Sequence, residues 1–167
     1  MNKAYLSIII PVLNEIEQLE ELLTTLKDLS VFRNEVIILD GGSTDGSYEW
    51  LEEKEGITLI QSQKGRAHQQ NEGAKIASSE VLYFLHADTR PPKGFDEIIH
   101  QAYIKNSKAG SFRLRFSSKH WALNIAAHAS RFNNRYCRGG DQSLFIQKQL
   151  FNSLSGFNED YIVCEDG

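Results

Sequence analysis

The sequence predicts an α/β fold: a mostly parallel sheet with helices on both faces. Three observations carry that expectation. Apolar runs of strand length recur four times, each leads into a polar turn, and a helix-length segment follows each turn. The runs are continuous and rich in β-branched residues, as in strands covered on both sides, and helical crossovers are what join parallel strands. The 167 residues suffice for one domain with a real core, and 41% apolar with 24% charged residues is a globular composition.

The elements follow in chain order. Residues 6–12, LSIIIPV, are the first buried strand. Ile16, Leu19, Leu22, Leu23, Leu26 and Leu29 then recur at three- and four-residue spacing, which predicts an amphipathic helix. Asn14 and Glu17 have the spacing of a capping box at its start. EVIILD, residues 35–40, is the second strand, closed by GGSTDGS and followed by a helix through Tyr48, Leu51 and Lys54. ITLIQS is the third strand, KGRAHQQNEGAKIAS a loop opening a third helix, and EVLYFL the fourth strand, running into His86-Ala87-Asp88 and halting at Pro91-Pro92. Beyond it GFDEIIHQAYIKN reads as helix, and GSFRLRF alternates like a strand with one wet face. Residues 119–136 place Trp121, Ile125, Ala129, Phe132 and Tyr136 on one helical face. QSLFIQ reads as a further strand and KQLFNSL as a short helix stopped at Gly156. No repeat, low-complexity tract or linker divides the chain, so residues 1–167 are read as one domain.

Composition narrows the classes of function. No apolar run approaches a membrane span, and residues 1–15 do not have the pattern of a signal peptide. Cys137 and Cys164 suggest neither a disulfide framework nor a zinc knuckle, and a reduced cytoplasmic setting is expected. The net charge of −4 hides a block between Glu97 and Asp141 that lacks acidic residues but contains eight Lys and Arg. That block suits a solvated face or an anionic partner, a phosphate-bearing acceptor or a lipid surface; no nucleic acid is expected. Residues 119–136 are read first as an ordinary domain helix and second as a peripheral contact with the inner face of a membrane.

In an open parallel sheet, ligands bind beyond the carboxyl ends of the strands. Four polar turns follow the four strands: Asn14-Glu15, Asp40-Gly41-Gly42-Ser43, Lys64-Gly65-Arg66 and His86-Ala87-Asp88. They are expected to line one edge. Asp40 can accept hydrogen bonds from a ribose or base, or simply cap its own turn. Lys64 and Arg66 suit a diphosphate, or an exposed basic loop. His86 and Asp88, two residues apart in extended backbone, would point the same way and offer donors for Mn²⁺, whereas Mg²⁺ favours the carboxylate alone. The other reading makes Asp88 a turn cap and His86 a strand-end hydrogen-bonding residue. Glu165 and Asp166 are either a solvated acidic pair or a general base in a cleft.

Taken together, SIIIPVLNE, VIILDGGSTDGS, KGRAHQQNEGAKIASSEVLYFLHADTRPP and GFNEDYIVCED resemble the family 2 glycosyltransferases of the GT-A fold, a Rossmann-like architecture, over nearly the whole chain. The LHADT form of the metal motif, with Gly140-Asp141-Gln142 before the last strand, resembles one bacterial branch. The resemblance implies an inverting enzyme with a nucleoside-diphosphate sugar donor and Mg²⁺ or Mn²⁺. By position, Pro11, Asn14 and Glu15 border the nucleoside, Asp40 lies beside the base, and Lys64 and Arg66 face the diphosphate. Asp88 matches the last aspartate of the family's D-x-D and binds metal with the diphosphate, His86 standing where its first aspartate would be. Asp166, next to Glu165, matches the general base; Asp141 and Gln142 fall on the acceptor side. Gly41 replaces the usual second aspartate after the second strand, which leaves the base of the donor open. Because family members continue past Gly167, a domain truncated at its C-terminus is expected. The rival expectations are a non-catalytic nucleotide-sugar-binding domain and, lower, a nucleotidyltransferase, whose glycine-rich basic first loop is replaced here by PVLNE.

Overall fold

The computed structural model describes residues 4–112 and 143–160. Among them six strands, β1 (Ser7–Val12), β2 (Glu35–Asp40), β3 (Ile57–Gln61), β4 (Val81–Phe84), β5 (Ala109–Ser111) and β6 (Leu144–Gln147), form one sheet in the order β3-β2-β1-β4-β6-β5. The first four are parallel, β6 runs antiparallel to β4, and β5 runs antiparallel to β6. The helices are α1 (Ile16–Leu29), α2 (Ser47–Glu52), α3 (Arg66–Ile76), α4 (Phe95–Ile104) and α5 (Lys148–Ser153). The expected mostly parallel sheet with helices on both faces is therefore present. The antiparallel β6 is the element whose direction an apolar run could not announce.

All six residues of β1 are buried, and they divide by pleat between two cores. Ile8, Ile10 and Val12 pack with Leu19, Leu22 and Leu26 of α1, Leu51 of α2, and Phe95 and Ile99 of α4. Ile9 turns to the opposite layer, with Leu39, Ala74 of α3 and Phe151 of α5. Period-two alternation over a strand covered on both sides produces this split. Helix α3 lies close to the sheet because Gly73 has no side chain: a Cβ there would sit 2.5 Å from Ile9 Cγ2.

Strand order fixes where a ligand can enter. From β1 the chain moves outward through β2 to β3, then returns to the other side of β1 as β4. Beyond the carboxyl ends of β1 and β4 the connections diverge, the place where open α/β sheets hold ligands. Pro11 helps to open it. Ile9 accepts from Leu85 N (3.1 Å) on the β4 side, and backbone groups alternate sides, so the N–H that Pro11 lacks would also face β4. The last β1–β4 partners are Ile9 and Phe84, so the two strands part just before the proline.

Two local expectations are corrected. No capping box forms at Asn14 and Glu17: α1 begins at Ile16 without a side-chain cap of its own. β5 starts at Ala109, earlier than the alternation in GSFRLRF indicates, and residues 113–116 of that segment lie outside the described residues, as does the helix expected over 119–136.

Candidate functional site

The turns after β1 and β2 are built as one unit. Asn14 holds a left-handed φ of 56°, a conformation that asparagine tolerates better than most side chains. Its backbone N–H donates to Ser43 Oγ (2.9 Å), and its Oδ1 accepts from Thr44 N (2.8 Å). Glu15 N donates to Ser47 Oγ (3.1 Å) and Ile16 N to Asp45 Oδ2 (3.0 Å). The cap of α1 thus comes from another loop. Burial opposes ionisation of Asp45, but hydrogen bonds from the Ser47 hydroxyl and the Ile16 and Ser47 amides outweigh it and hold the carboxyl below its usual range.

Asp40, fully buried at the end of β2, performs the local role and leaves room for the other. Its Oδ2 accepts from Gly42 N and Ser43 N, both at 2.9 Å, capping the turn. Its Oδ1 is buried with no hydrogen-bond partner among the described residues. A buried polar atom without a partner costs about 1–3 kcal/mol, so such atoms tend to mark function. Beneath the turn, Gln69 Nε2 donates to the carbonyls of Val12 (3.0 Å) and Leu39 (2.6 Å), tying together the ends of β1 and β2. Asp45, Ser47 and Gln69 escape sequence reasoning because they act through contacts 29 residues or more away. The one signal for Gln69 was a helix, AHQQNEGA, with no apolar face of its own.

Lys64, Gly65 and Arg66 form the third turn. Gly65 takes φ +140°, and Arg66 opens α3, which has no side-chain cap. The positive end of a helix then lies beside two cations.

The fourth turn differs from its expected geometry. His86 and Asp88 do not lie in extended backbone: β4 ends at Phe84, and a turn closes with Thr89 N donating to His86 O (3.0 Å). The argument from strand alternation therefore does not apply. Asp88 is exposed and accepts from Thr89 Oγ1 (3.3 Å), while His86 is half-buried. Arg90 braces the turn, with Nη1 on Ala87 O (3.2 Å) and a forked ion pair to Glu21 at 2.8 and 3.1 Å.

Glu15 links these pieces. Its pKa is pushed up to about 7, first by burial and then by the charge of Asp88, with Asp45 adding and Arg66 opposing. Its Oε2 is buried without a hydrogen-bond partner among the described residues. Charges on the turns after β1 and β4 and at the start of α3 therefore act on one another across the mouth of the sheet. No group of three or more His, Cys, Asp or Glu among the described residues could hold a metal by itself. Asp141, Gln142, Glu165 and Asp166 lie outside the described residues.

The profile described as Glycosyl transferase family 2 matches residues 7–152. The chain belongs to this family. Its fold is GT-A, as its likeness to solved structures shows. The mannosyltransferase PcManGT from Pyrobaculum calidifontis, in complex with GDP-Man and Mn²⁺, is 22% identical with a TM-score of 0.68 over 96% of this chain and 49% of that one. TarS 1–349 of S. aureus, in complex with UDP, is 18% identical with a TM-score of 0.74, covering 96% and 52%. Glucosyl-3-phosphoglycerate synthase from Mycobacterium tuberculosis, in complex with Mn²⁺, UDP and glucosyl-3-phosphoglycerate, is 17% identical with a TM-score of 0.66, covering 91% and 59%. The chain thus spans about half to three-fifths of the length of these structures. No curated protein sequence matches it. No helix among the described residues is long and apolar enough to cross a membrane.

Proposed function

We propose that the chain is the donor-binding part of an inverting glycosyltransferase that moves a sugar from a nucleoside-diphosphate sugar to an acceptor hydroxyl, assisted by Mg²⁺ or Mn²⁺. The meeting of Glu15, Asp88 and Arg66 across the β1/β4 mouth, in a family 2 chain, carries this reading. A half-buried carboxyl whose proton affinity is raised by burial and by a neighbouring aspartate, beside a cationic helix start, suits a diphosphate with its cation. Asp40 Oδ1 can accept an N–H from the base, with Pro11, Asn14 and Glu15 bordering the nucleoside. Lys64 and Arg66, at the positive end of α3, suit the diphosphate.

The donor set fits a cation shared with substrate. Asp88 would offer oxygen and His86 nitrogen to Mn²⁺, whereas Mg²⁺ would be held by Asp88 alone on the protein side, with the substrate's diphosphate as the other source of oxygen. That division agrees with the lack of a self-sufficient protein cluster among the described residues. A cation bound there offsets charge gathering on the diphosphate as the glycosidic bond breaks. Asp166, with Glu165 beside it, takes the proton of the acceptor hydroxyl as that oxygen attacks the anomeric carbon, and the bonding pair leaves with the diphosphate. Asp141 and Gln142 face the acceptor. These four roles rest on the family resemblance alone. A bacterial LHADT branch, a cytoplasmic setting and a lipid- or phosphate-linked acceptor at a membrane surface belong to the same reading.

Calorimetric titration of UDP and GDP, with and without Mn²⁺, tests the donor step: binding of neither refutes the proposal. Sugar transfer that disappears in Asp166→Asn while nucleotide affinity is kept supports the catalytic half. Nucleotide binding with neither transfer nor donor hydrolysis in the parent chain selects the non-catalytic binding domain.

A further inference from the structure

The His86–Thr89 turn is held from α1 by contacts that the roles above leave unused. Thr89 N donates to His86 O, so Ala87 and Asp88 are the two central residues of a β-turn. Arg90 folds back over it, Nη1 donating to Ala87 O (3.2 Å). Its other two nitrogens go to Glu21 on α1, Nε to Oε1 (3.1 Å) and Nη2 to Oε2 (2.8 Å). All three guanidinium nitrogens are thus engaged, in a planar fork that lysine does not reproduce. The hydrogen bond from Arg90, and then its charge, hold the Glu21 carboxyl below its usual range. Downstream, Pro91 disfavours helical backbone at Arg90, and Gly94 N donates to Leu29 O (2.8 Å) at the far end of α1. The connection from β4 to α4 is therefore tied to α1 at two points.

Magnitude and geometry decide what this brace does. The side chains of Arg90 and Glu21 are 32% and 71% exposed, and ion pairs so open to water add little stability. Ala87 is fully buried, so the turn is already attached to the domain by its first central residue. What burial leaves undetermined is the central peptide plane. That plane contains C and O of Ala87 with N and Cα of Asp88, so a bond to Ala87 O sets where the Asp88 side chain starts. Turns of types I and II differ by a flip of this plane, and the flip takes the second central residue to positive φ. Among the described residues the positive φ values outside glycine are those of Asn14, Asn106 and Ser155, so Asp88 is in the unflipped form. Aspartate tolerates positive φ better than most side chains, so its identity does not prevent the flip. Arg90, holding the oxygen, does.

We propose that Arg90 and Glu21 are positioning residues: Arg90 locks the Ala87–Asp88 peptide plane and Glu21 anchors Arg90 to α1, which presets the Asp88 carboxylate for a divalent cation. The charge of Asp88 reaches Glu15, the residue just before α1, so one helix references both the first and the fourth turn. The cation's part rests on the transferase reading above; the brace itself does not.

The test uses the full chain, its Arg90→Ala, Arg90→Lys and Glu21→Ala variants, and the Arg90→Ala/Glu21→Ala pair. Two quantities are read: amide hydrogen exchange at Thr89, and calorimetric affinity for UDP and GDP with and without Mn²⁺. In Arg90→Ala, exchange at Thr89 is expected to quicken about threefold or more. The gain in affinity that Mn²⁺ confers shrinks about three- to tenfold, the worth of one hydrogen bond, while affinity without Mn²⁺ stays within about twofold. Arg90→Lys keeps the charge without the fork and recovers little. Glu21→Ala loses less than Arg90→Ala and adds nothing in the Arg90→Ala background, because Glu21 acts through Arg90. Unaltered exchange at Thr89 overturns the brace, and full recovery by lysine refers the effect to charge alone and overturns the lock. Faster exchange with an unchanged Mn²⁺ gain, or with no such gain in the parent, overturns the positioning role. Equal losses with and without Mn²⁺ overturn it too, since they mark a merely structural residue. If the parent chain binds neither nucleotide, the transferase reading fails and the cation's part with it, and exchange at Thr89 alone decides whether the brace exists.

Discussion

Glu15 lets the strain between fold and site be measured. Its carboxyl titrates at about 7 in the folded chain against an ordinary value of 4.5. At 1.36 kcal/mol per tenfold change in proton affinity, ionising it in place costs about 3 kcal/mol, which partial exposure and solvent screening reduce to about 1–2 kcal/mol. Between pH 4.5 and about 7 the folded chain keeps a proton that the unfolded chain has released. Protons bound by the folded state are then the more numerous, and stability falls as pH rises through that window. The contribution is whole below 4.5 and gone above about 7. Glu15→Gln removes the titration, so urea unfolding of both chains from pH 5 to pH 8 should show the parent losing about 1–2 kcal/mol relative to the variant. Asp88→Asn should shrink that loss without abolishing it, because burial is the larger cause. Parallel stability curves for parent and Glu15→Gln would refute the reasoning outright.

Three further outcomes follow from contacts described above or close to them. Asp96, fully buried at the start of α4, accepts from the Val31 and Phe32 amides and from Asn34 Nδ2 at 2.7–3.0 Å. Asp96→Ala strands those donors and should lower urea stability by about 3 kcal/mol. Gly73→Ala forces a methyl against Ile9 and Leu39; a stability loss of about 1–3 kcal/mol by thermal or urea unfolding is expected. In titrations with Mn²⁺, Asp88→Ala should abolish the metal-dependent part of nucleotide binding and His86→Ala only weaken it; equal losses would make the histidine a full ligand.

What could be read in advance depended on how local its cause was. β1 was legible because burial on both faces writes an unbroken Ser7–Val12 run, and α1 because Leu19, Leu22 and Leu26 repeat at helical spacing. That the four polar turns share one edge followed from parallel strands alone. The direction of β6 did not, since Leu144–Gln147 reads the same either way along the sheet. Asn14 and Glu17 suggested a cap that never forms, because Asp45, from a separate loop, reaches Ile16 N–H. His86 and Asp88 were aligned on the assumption of extended backbone, which the turn at Thr89 removes. Asp40 was legible as a choice between turn cap and ligand contact, and its two oxygens divide those tasks.

The interlocked turns after β1 and β2 set a rule for altering this protein. Ser43, Thr44, Asp45 and Ser47 each bond to the segment Asn14–Ile16, so neither turn keeps its shape without the other. A donor-recognition loop grafted here from a relative would have to travel as a two-part cassette, residues 13–16 together with 40–47. Exchange of either half alone leaves a helix start uncapped and an aspartate without its amides.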